Sequence, residues 1–461
     1  MQLFTQYSKY LTSSPIKKRL FTAILWSVVG EGCSKGLLLI AMVFIARILG
    51  KEDYGQFGMI RTTINLFATV GGMGLGLTAN RFVAQFRNMD KEHSGRIIGA
   101  SFILAIATGL SVGVSVFIGS EYLASIALNA PQLKGALKIA GLLLFLGALN
   151  GAQIGVLQGL EAYRLLALGS FFQGVTAIIS LVVGSYYFGL DGTLIGFLAY
   201  TLFGVLCFHL LINRELIVQN IAVRFTDIVK TLPIFWKFSV PVVLMGIAVA
   251  PFKWLAERML MKSVGFQELG IFYASMTIAT IFIAIVSTLN APLISLVADI
   301  KDLKITYKIE YLNLYGSWYL FLLIALPYIL FPKTAFLLFG DQYDMPKFYI
   351  MNLLLILYSA LLLYYQGVMR LVAHNGSMWL GVITNLFEGI SLIGAFYLLI
   401  DQGGVGFAIA HVLSYVIRVA ISIPLLIRYR VIPGYLLYDK YFIITLTALL
   451  LVVVLQIGAI A

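Results

Sequence analysis

The sequence predicts an all-α membrane protein with about 12–14 transmembrane helices, and two observations support this fold class. Of the 461 residues, 61% are hydrophobic and 11% are charged, whereas a soluble domain is about half apolar and a quarter charged. The apolar residues also lie in long runs that recur along the whole chain. A soluble fold could not bury this much apolar surface, so we exclude one.

Thirteen apolar runs are long enough to cross a bilayer, which takes about 20 residues in a helix. They lie at residues 20–46, 54–77, 97–119, 137–157, 165–188, 192–213, 235–257, 269–297, 311–331, 349–369, 377–400, 403–427 and 441–460. Glycine and proline inside several runs do not argue against helices, because neighbouring helices can cover the freed backbone groups. The longest outer connection, near 332–348, leaves no room for an extramembrane catalytic domain.

The net charge of +12 would suit either nucleic acid or anionic lipid as a partner. The cations lie at the ends of the apolar runs, which favours membrane topology and predicts no nucleic-acid partner. With the N-terminus inside, the cytoplasmic segments hold twenty Lys and Arg residues and the outer segments hold eight. This bias predicts a multi-pass protein with a cytoplasmic N-terminus. Cys33 and Cys207 lie in separate apolar runs, so we expect no disulfide, metal site or cofactor.

The chain also repeats itself at an offset of about 210 residues. Residues 158–200 match 366–410, both with Gln-Gly near the start, and residues 51–63 resemble 266–278. Each half would carry six spans in the same orientation, a parallel repeat that is typical of transporters with a site between the halves. We therefore divide the chain into an N-terminal lobe at 1–225, a C-terminal lobe at 226–432 and an additional C-terminal transmembrane helix at 433–461.

Short motifs around the first two spans carry a family resemblance. Ala46-Arg47-Ile48-Leu49-Gly50 closes the first span, Tyr54-Gly55-Gln56-Phe57 opens the second, and a Gly-rich turn from Gly71 precedes Arg81. This pattern resembles the polysaccharide-precursor flippases of the MOP (multidrug, oligosaccharidyl-lipid and polysaccharide) exporter superfamily. The resemblance implies two six-helix lobes around a central cavity and alternating access. It also implies a polyprenyl-pyrophosphate-linked oligosaccharide as substrate, carried across the bacterial cytoplasmic membrane for surface polysaccharide biosynthesis. Membrane lipids, a polysaccharide polymerase and glycosyltransferases would be its other partners.

Ionisable residues inside the spans are candidates for the site, because charges in a bilayer are costly and usually face an interior or a water-filled cavity. We expect four cations to bind the substrate headgroup, since Arg and Lys can replace the lost water of a pyrophosphate: Arg61, Lys35, Lys253 and Arg418. Three further residues are candidates for ion coupling or ion pairing: Glu31, Glu388 and His411. The spacing of four residues would also allow Glu31 to pair with Lys35, and Lys253 with Glu257.

Other functions remain open from the residues alone. A cation-coupled multidrug or metabolite antiporter of the same superfamily would share the fold. A membrane glycosyltransferase or polymerase would need a cluster of carboxylates or nucleophiles in a long outer loop, so we do not expect an enzyme. A structural scaffold would not need charges in several spans. Tyrosines such as Tyr186, Tyr187, Tyr364 and Tyr365 fit an interfacial aromatic belt, or sugar stacking as the alternative.

The predicted topology can be tested with reporter fusions. A reporter joined after Arg224 should be cytoplasmic, and one inserted at 335–345 should be external, because the Lys and Arg bias fixes the orientation. Paired alkaline phosphatase and fluorescent-protein fusions at both positions measure this. The reverse result at both positions would overturn the orientation.

Overall fold

A computed structural model describes residues 15–72, 74–226, 228–290, 293, 303–374, 378–429 and 439–460. Every regular element in these ranges is helical. The long helices are α1 (Pro15–Gly71), α2 (Leu75–Phe86), α3 (Lys91–Ile118), α4 (Lys134–Gly159), α5 (Tyr163–Gln219), α6 (Ile228–Ile247), α7 (Ala250–Val264), α8 (Phe266–Ser287), α9 (Leu303–Leu330), α10 (Pro346–His374), α11 (Met378–Leu398), α12 (Gly403–Arg428) and α13 (Lys440–Ile460).

These helices confirm the predicted fold class and cover the predicted spans. Within the described ranges, nine helical stretches are long and apolar enough to cross a membrane. One of the nine is α5, which holds two predicted spans. Helix α1 is not among the nine but also holds two predicted spans. The end of the predicted span 269–297 lies partly outside the described residues, and the connection 332–348 contains a short helix, Ala335–Phe339.

Glycines at repeated positions carry the turns between spans. Gly50 interrupts α1 with φ 77°, and Gly265 separates α7 from α8 with φ 88°. Gly189 interrupts α5 with φ 59°, and Gly403 begins α12 with φ 57°. Glycine adopts positive φ without the steric cost that a Cβ atom imposes. The two members of each pair are separated by nearly the same length of chain, which supports the predicted internal repeat at the level of the backbone.

Side-chain contacts repeat in the same way. Asn80 donates to the Gln158 side chain over 3.2 Å, and Asn290 donates to the Gln366 side chain over 3.3 Å. Both glutamines belong to the Gln-Gly pairs that revealed the repeat in the sequence. The repeat therefore preserves a hydrogen bond between two side-chain amides in each half.

The two halves meet through a reciprocal contact between α1 and α8. A Cβ atom on Gly55 would lie 2.0 Å from the Phe266 carbonyl oxygen, and one on Gly270 would lie 1.8 Å from the Lys51 carbonyl oxygen. Lys51 and Phe266 each directly follow the glycine turn of their own half, so the contact has the symmetry of a two-fold axis. Small residues allow such close approach of transmembrane helices.

Hydrogen bonds reinforce this contact. The Tyr54 hydroxyl lies 3.0 Å from the Thr277 hydroxyl in the buried interface. At the same end of the molecule, the Tyr343 hydroxyl donates to the Ala46 carbonyl over 3.3 Å, and the Gln342 amide donates to the Arg47 carbonyl over 3.0 Å. The halves are therefore held together at the end where α1 turns at Gly50.

The predicted span 235–257 is not one helix but two. Helix α6 ends at Ile247, and α7 begins at Ala250 with Pro251 in its first turn. Proline fits the first turn of a helix but not its interior, because it lacks the N–H group and its ring clashes with the preceding turn. The break therefore places helix ends in the middle of a membrane span.

The two parts of this broken span have different neighbours. Ser239 of α6 lies 2.8 Å from the Thr78 hydroxyl of α2, and Phe235 is buried in a cluster with Leu75. The α6 helix thus packs on the N-terminal half, although the sequence predicted the lobe boundary at 225 and 226. That residue boundary stays a prediction.

Helix α13 packs on the C-terminal half. The Trp318 indole donates to the Thr445 hydroxyl over 3.1 Å. Phe442 stacks on Tyr364 with ring centroids 4.7 Å apart and also contacts Tyr315. The additional C-terminal helix predicted from the sequence is thus attached to α9 and α10.

The glycine contact can be tested by one added methyl group. Gly270→Ala should lower the free energy of unfolding by about 1–3 kcal/mol, because its Cβ atom would meet backbone that cannot move aside. Gly394→Ala in α11 is the matched control, since a Cβ atom there meets no atom within 4 Å. Thermal unfolding of the purified variants measures both. Equal stability of the two variants would contradict the close contact.

Candidate functional site

A buried ion cluster joins α7, α11 and α12. The Glu388 carboxylate forms a salt bridge with the Arg418 guanidinium and lies 3.4 Å from the Lys253 ammonium. A carboxylate in a membrane interior is stable only when it is compensated in this way. Three predicted candidates, Lys253, Glu388 and Arg418, are thus brought together although they are far apart in sequence.

Neutral and aromatic groups complete the binding of Arg418. Its guanidinium donates a second hydrogen bond to the Asn385 side-chain oxygen over 2.6 Å. It also lies over the rings of Tyr365 and Tyr415, at 4.4 Å and 5.3 Å from their centroids. Cation–π contacts of this kind are strongest when the cation has lost its water. Arg418 is therefore fixed on several sides.

The broken span contributes directly to this cluster. The Asn385 amide donates over 3.0 Å to the Met245 carbonyl, which lies near the end of α6. Lys253 lies in the first turn of α7, and its backbone N–H donates to the Val249 carbonyl over 3.1 Å. The N-terminal end of a helix carries a partial positive charge. The break also places the C-terminal end of α6, which carries the opposite partial charge, close to the same point.

The three ionised side chains differ in how much of each is exposed. The side chains of Glu388 and Arg418 are 4% and 9% exposed, whereas that of Lys253 is 36% exposed. Lys253 also has the longer contact with the carboxylate. Arg418 consequently neutralises Glu388, and Lys253 is the cation that a ligand can reach.

A second charged group lies between the halves. Glu257 of α7 is buried and accepts a hydrogen bond from the Tyr273 hydroxyl of α8. The Thr62 hydroxyl of α1 lies 3.0 Å from the Tyr273 hydroxyl. Arg61, on the adjacent position of α1, interacts electrostatically with the Glu257 carboxyl group. Its guanidinium contacts the Met42 sulfur over 3.3 Å and lies 5.9 Å from the centroid of the Phe57 ring.

Together these residues form a series of charges across the molecule. The Glu257 carboxyl group lies within electrostatic range of both Lys253 and Arg61, and Lys253 contacts Glu388. We call this series the charged belt, and its members are Arg61, Glu257, Lys253, Glu388 and Arg418. Three cations and two carboxylates leave one positive charge in excess. The belt begins on α1 of the N-terminal half and ends on α12.

His411 lies beside the belt but is surrounded by aromatic rings. It is buried, and its Nδ1 atom is 3.0 Å from the Phe407 carbonyl oxygen. The rings of Phe272 and Tyr358 lie 5.2 Å and 5.5 Å from the imidazole. This environment is that of a packed core histidine.

The structure distributes the sequence-predicted residues unevenly. Lys35 is an exposed residue of α1, and the side chain of Glu31 lies outside the described residues. Lys253 forms its salt bridge with Glu388, and the Tyr273 hydroxyl donates to Glu257. Two residues of the site, Glu257 and Asn385, were not among the predicted candidates. Asn385 precedes Glu388 by three residues, so a helical face would have placed them together.

Comparison with known proteins identifies the family. Residues 20–263, more than half of the chain, match the family model described as polysaccharide biosynthesis protein. The chain belongs to this family. A curated relative is the succinoglycan biosynthesis transport protein ExoT of Rhizobium meliloti (strain 1021), which is 30% identical over 166 residues. The match takes in 36% of this chain and 32% of the relative, so the chain spans about a third of that protein's length.

Solved transporters share the fold. An inward-facing MATE family transporter of the MOP superfamily superposes with a TM-score of 0.67, at 15% identity, over 90% of this chain and 99% of the other. An outward-facing structure of such a transporter gives 0.60, at 15% identity, over 92% and 97%. These likenesses establish the fold, and the apolar helices of the described residues fit a multi-pass membrane protein of the polysaccharide biosynthesis family.

The Glu388–Arg418 pair can be tested by single and double substitutions. Glu388→Gln should lower stability by about 3–5 kcal/mol, because the buried Arg418 loses its carboxylate, and Arg418→Gln should lower it less, because Lys253 still contacts Glu388. The double variant should recover much of this loss. Thermal unfolding of the three variants measures the coupling. Additive losses in the double variant would show that the two ions do not depend on each other.

Proposed function

We propose that this protein is an alternating-access flippase for a polyprenyl-pyrophosphate-linked oligosaccharide. The observation that carries the proposal is the charged belt, which has an excess of one positive charge and an accessible lysine within the membrane. A pyrophosphate loses its water when it crosses a bilayer, and fixed cations can replace that water. Membership of the polysaccharide biosynthesis family and similarity to a succinoglycan transport protein support a saccharide cargo.

Each cation would have its own part in headgroup binding. Arg61 stands on the N-terminal half and Lys253 on the C-terminal half, so a phosphate group between them would be bound from both sides. Arg418 would contribute long-range positive potential while it neutralises Glu388. Lys35, the fourth predicted cation, would meet the headgroup on its way into the cavity from the exposed side of α1.

The contacts between the halves support a path for the movement. With the predicted orientation, the end closed by Gly55 and Gly270 is the outer end. Transport would require the reciprocal glycine contact to open while contacts at the cytoplasmic end form. The protein would act in the bacterial cytoplasmic membrane with a cytoplasmic N-terminus, and a polysaccharide polymerase and glycosyltransferases would act on the same precursor.

A cation-coupled multidrug or metabolite antiporter is the alternative. The buried carboxylates Glu257 and Glu388 favour it, because an antiporter needs acidic groups that bind a proton or metal cation in exchange for the cargo. A transport assay in proteoliposomes separates the two functions. A flippase exposes a lipid-linked saccharide on the other leaflet, whereas an antiporter expels a soluble compound when an ion gradient is applied.

Removal of an accessible cation tests the proposed flippase. Lys253→Gln should reduce export of the surface glycan at least tenfold with little change in protein abundance, because the lysine is half-buried and its loss leaves Glu388 paired with Arg418. Arg61→Ala should have the same effect, and Arg61→Lys should retain part of the activity, because the charge remains while the planar fork is lost. Surface glycan and membrane abundance are measured in parallel.

Lys262→Gln is the matched control for Lys253→Gln. Lys262 is an exposed residue near the end of the same helix, away from the belt, so export should stay within about twofold of the wild type. Full export by Lys253→Gln and Arg61→Ala at normal abundance would rule out the belt as the headgroup site.

A further inference from the structure

A cavity of about 370 Å³ lies inside the N-terminal half. It is surrounded by α1, α4 and both parts of α5, and its polar lining is Ser34, Asn150, Gln173, Tyr200 and Thr201. None of these side chains carries a charge at neutral pH. The cavity volume is near the lower end of the range of about 300–1,000 Å³ that is usual for small-ligand pockets.

This cavity occupies the same place in its half as the charged belt does in the other. The pairs Gln173-Gly174 and Glu388-Gly389 correspond at the offset of 215 residues that separates Gly50 from Gly265. At the offset of 214 residues that separates Gly189 from Gly403, Gly204 corresponds to Arg418. The contact between helices is repeated as well, because a Cβ atom on Gly204 would lie 2.1 Å from the Gln173 amide nitrogen.

The rest of the lining follows the same correspondence. Thr201 aligns with Tyr415 of the C-terminal half. The cavity also contacts Leu38, which aligns with Lys253. Corresponding regions of the two halves thus hold an ion cluster in the C-terminal half and an uncharged polar cavity in the N-terminal half. The charged cluster and the uncharged cavity would then bind parts of a substrate that differ in charge.

The amides of the cavity are available to a ligand. Asn150 is 7% exposed, yet neither it nor Gln173 has a hydrogen-bond partner among the described residues. Asn150 is buried and Gln173 is half-buried, so both amides border the cavity with their bonding capacity open to a ligand. An amide offers both donors and an acceptor, which matches the two-way hydrogen bonding of a sugar hydroxyl.

An aromatic face completes the lining. Tyr200 contacts the cavity, and its ring stacks on Phe197 with centroids 5.1 Å apart and planes inclined by 5°. A supported ring of this kind gives a flat apolar surface against which the C–H face of a sugar can pack. Tyr200 also interacts electrostatically with Arg61, so the cavity lies next to the first cation of the charged belt.

We infer that this uncharged cavity binds a neutral sugar of the lipid-linked precursor, beside the phosphates held by the charged belt. The inference rests on the proposed function. Amides recognise the hydroxyl groups, Tyr200 supports one face of the ring, and the absence of charge in the lining gives no advantage to phosphate. Because the sugar is joined directly to the pyrophosphate, neighbouring subsites for the two are what such a substrate requires.

The test compares two lipids that differ only in the saccharide. The first probe is the lipid-linked saccharide that accumulates in cells lacking this protein, and the second is sugar-free undecaprenyl pyrophosphate. Asn150→Leu and Gln173→Leu are made separately, and binding of each probe to protein in lipid nanodiscs is measured. Each variant should bind the saccharide lipid about tenfold more weakly, because one or two hydrogen bonds are lost. Binding of the sugar-free lipid should change less than twofold.

Control variants distinguish failure of the sugar site from failure of the proposed function. Thr176→Val removes a hydroxyl of α5 that bonds to its own helix, at the Phe172 carbonyl, and should leave both affinities unchanged. Lys253→Gln should weaken binding of both lipids. If the wild type binds neither lipid, the proposed function fails and the inference fails with it. If it binds both and the leucine variants lose neither, or lose both equally, the sugar site alone is overturned.

Discussion

The cost of an ionised group inside a bilayer governs the arrangement of the C-terminal half. Glu388 lies almost entirely out of contact with solvent, and it is compensated by Arg418 from α12 and Lys253 from α7. Three helices therefore have to approach each other at one level of the membrane. Asn385 accepts a further hydrogen bond from Arg418, and the rings of Tyr365 and Tyr415 pack against its guanidinium. The packing of α7, α10, α11 and α12 follows from the need to satisfy one carboxylate.

The internal repeat shows how one architecture can hold two chemistries. The turns at Gly50 and Gly265, and those at Gly189 and Gly403, keep positive φ angles. The interior positions between these turns have diverged, with Gln173 in one half and Glu388 in the other. Backbone constraints were retained because the helices would otherwise clash, whereas the side chains facing the interior were free to change. Under the proposed function, halves with unlike interiors would bind a substrate with unlike ends.

Much of the fold could be predicted from the sequence, because the membrane demands long apolar helices and the repeat is visible at Gln158-Gly159 and Gln366-Gly367. Part of the site could be predicted as well, because Lys253, Glu388 and Arg418 are conspicuous charges in apolar runs. The interaction partners of these charges could not be predicted from the sequence. Lys253 meets Glu388 only because the span breaks before Pro251, and spacing along the chain favoured Glu257 instead. Asn150 and Gln173 gave no signal, because neutral amides are common in membrane helices.

The break between α6 and α7 has a mechanical consequence. The first part of this span is packed on the N-terminal half through Ser239 and Phe235, and the second part brings Lys253 to Glu388 of the C-terminal half. Each part also contacts the other half, because the Asn385 amide donates to the Met245 carbonyl and the Trp254 indole donates to the Thr63 hydroxyl. A single membrane crossing is thus shared by both halves, with its break at Ala248 and Val249. In the proposed alternating-access cycle, a tilt of the halves about this break would swing the first turn of α7, so the accessible lysine would move together with it.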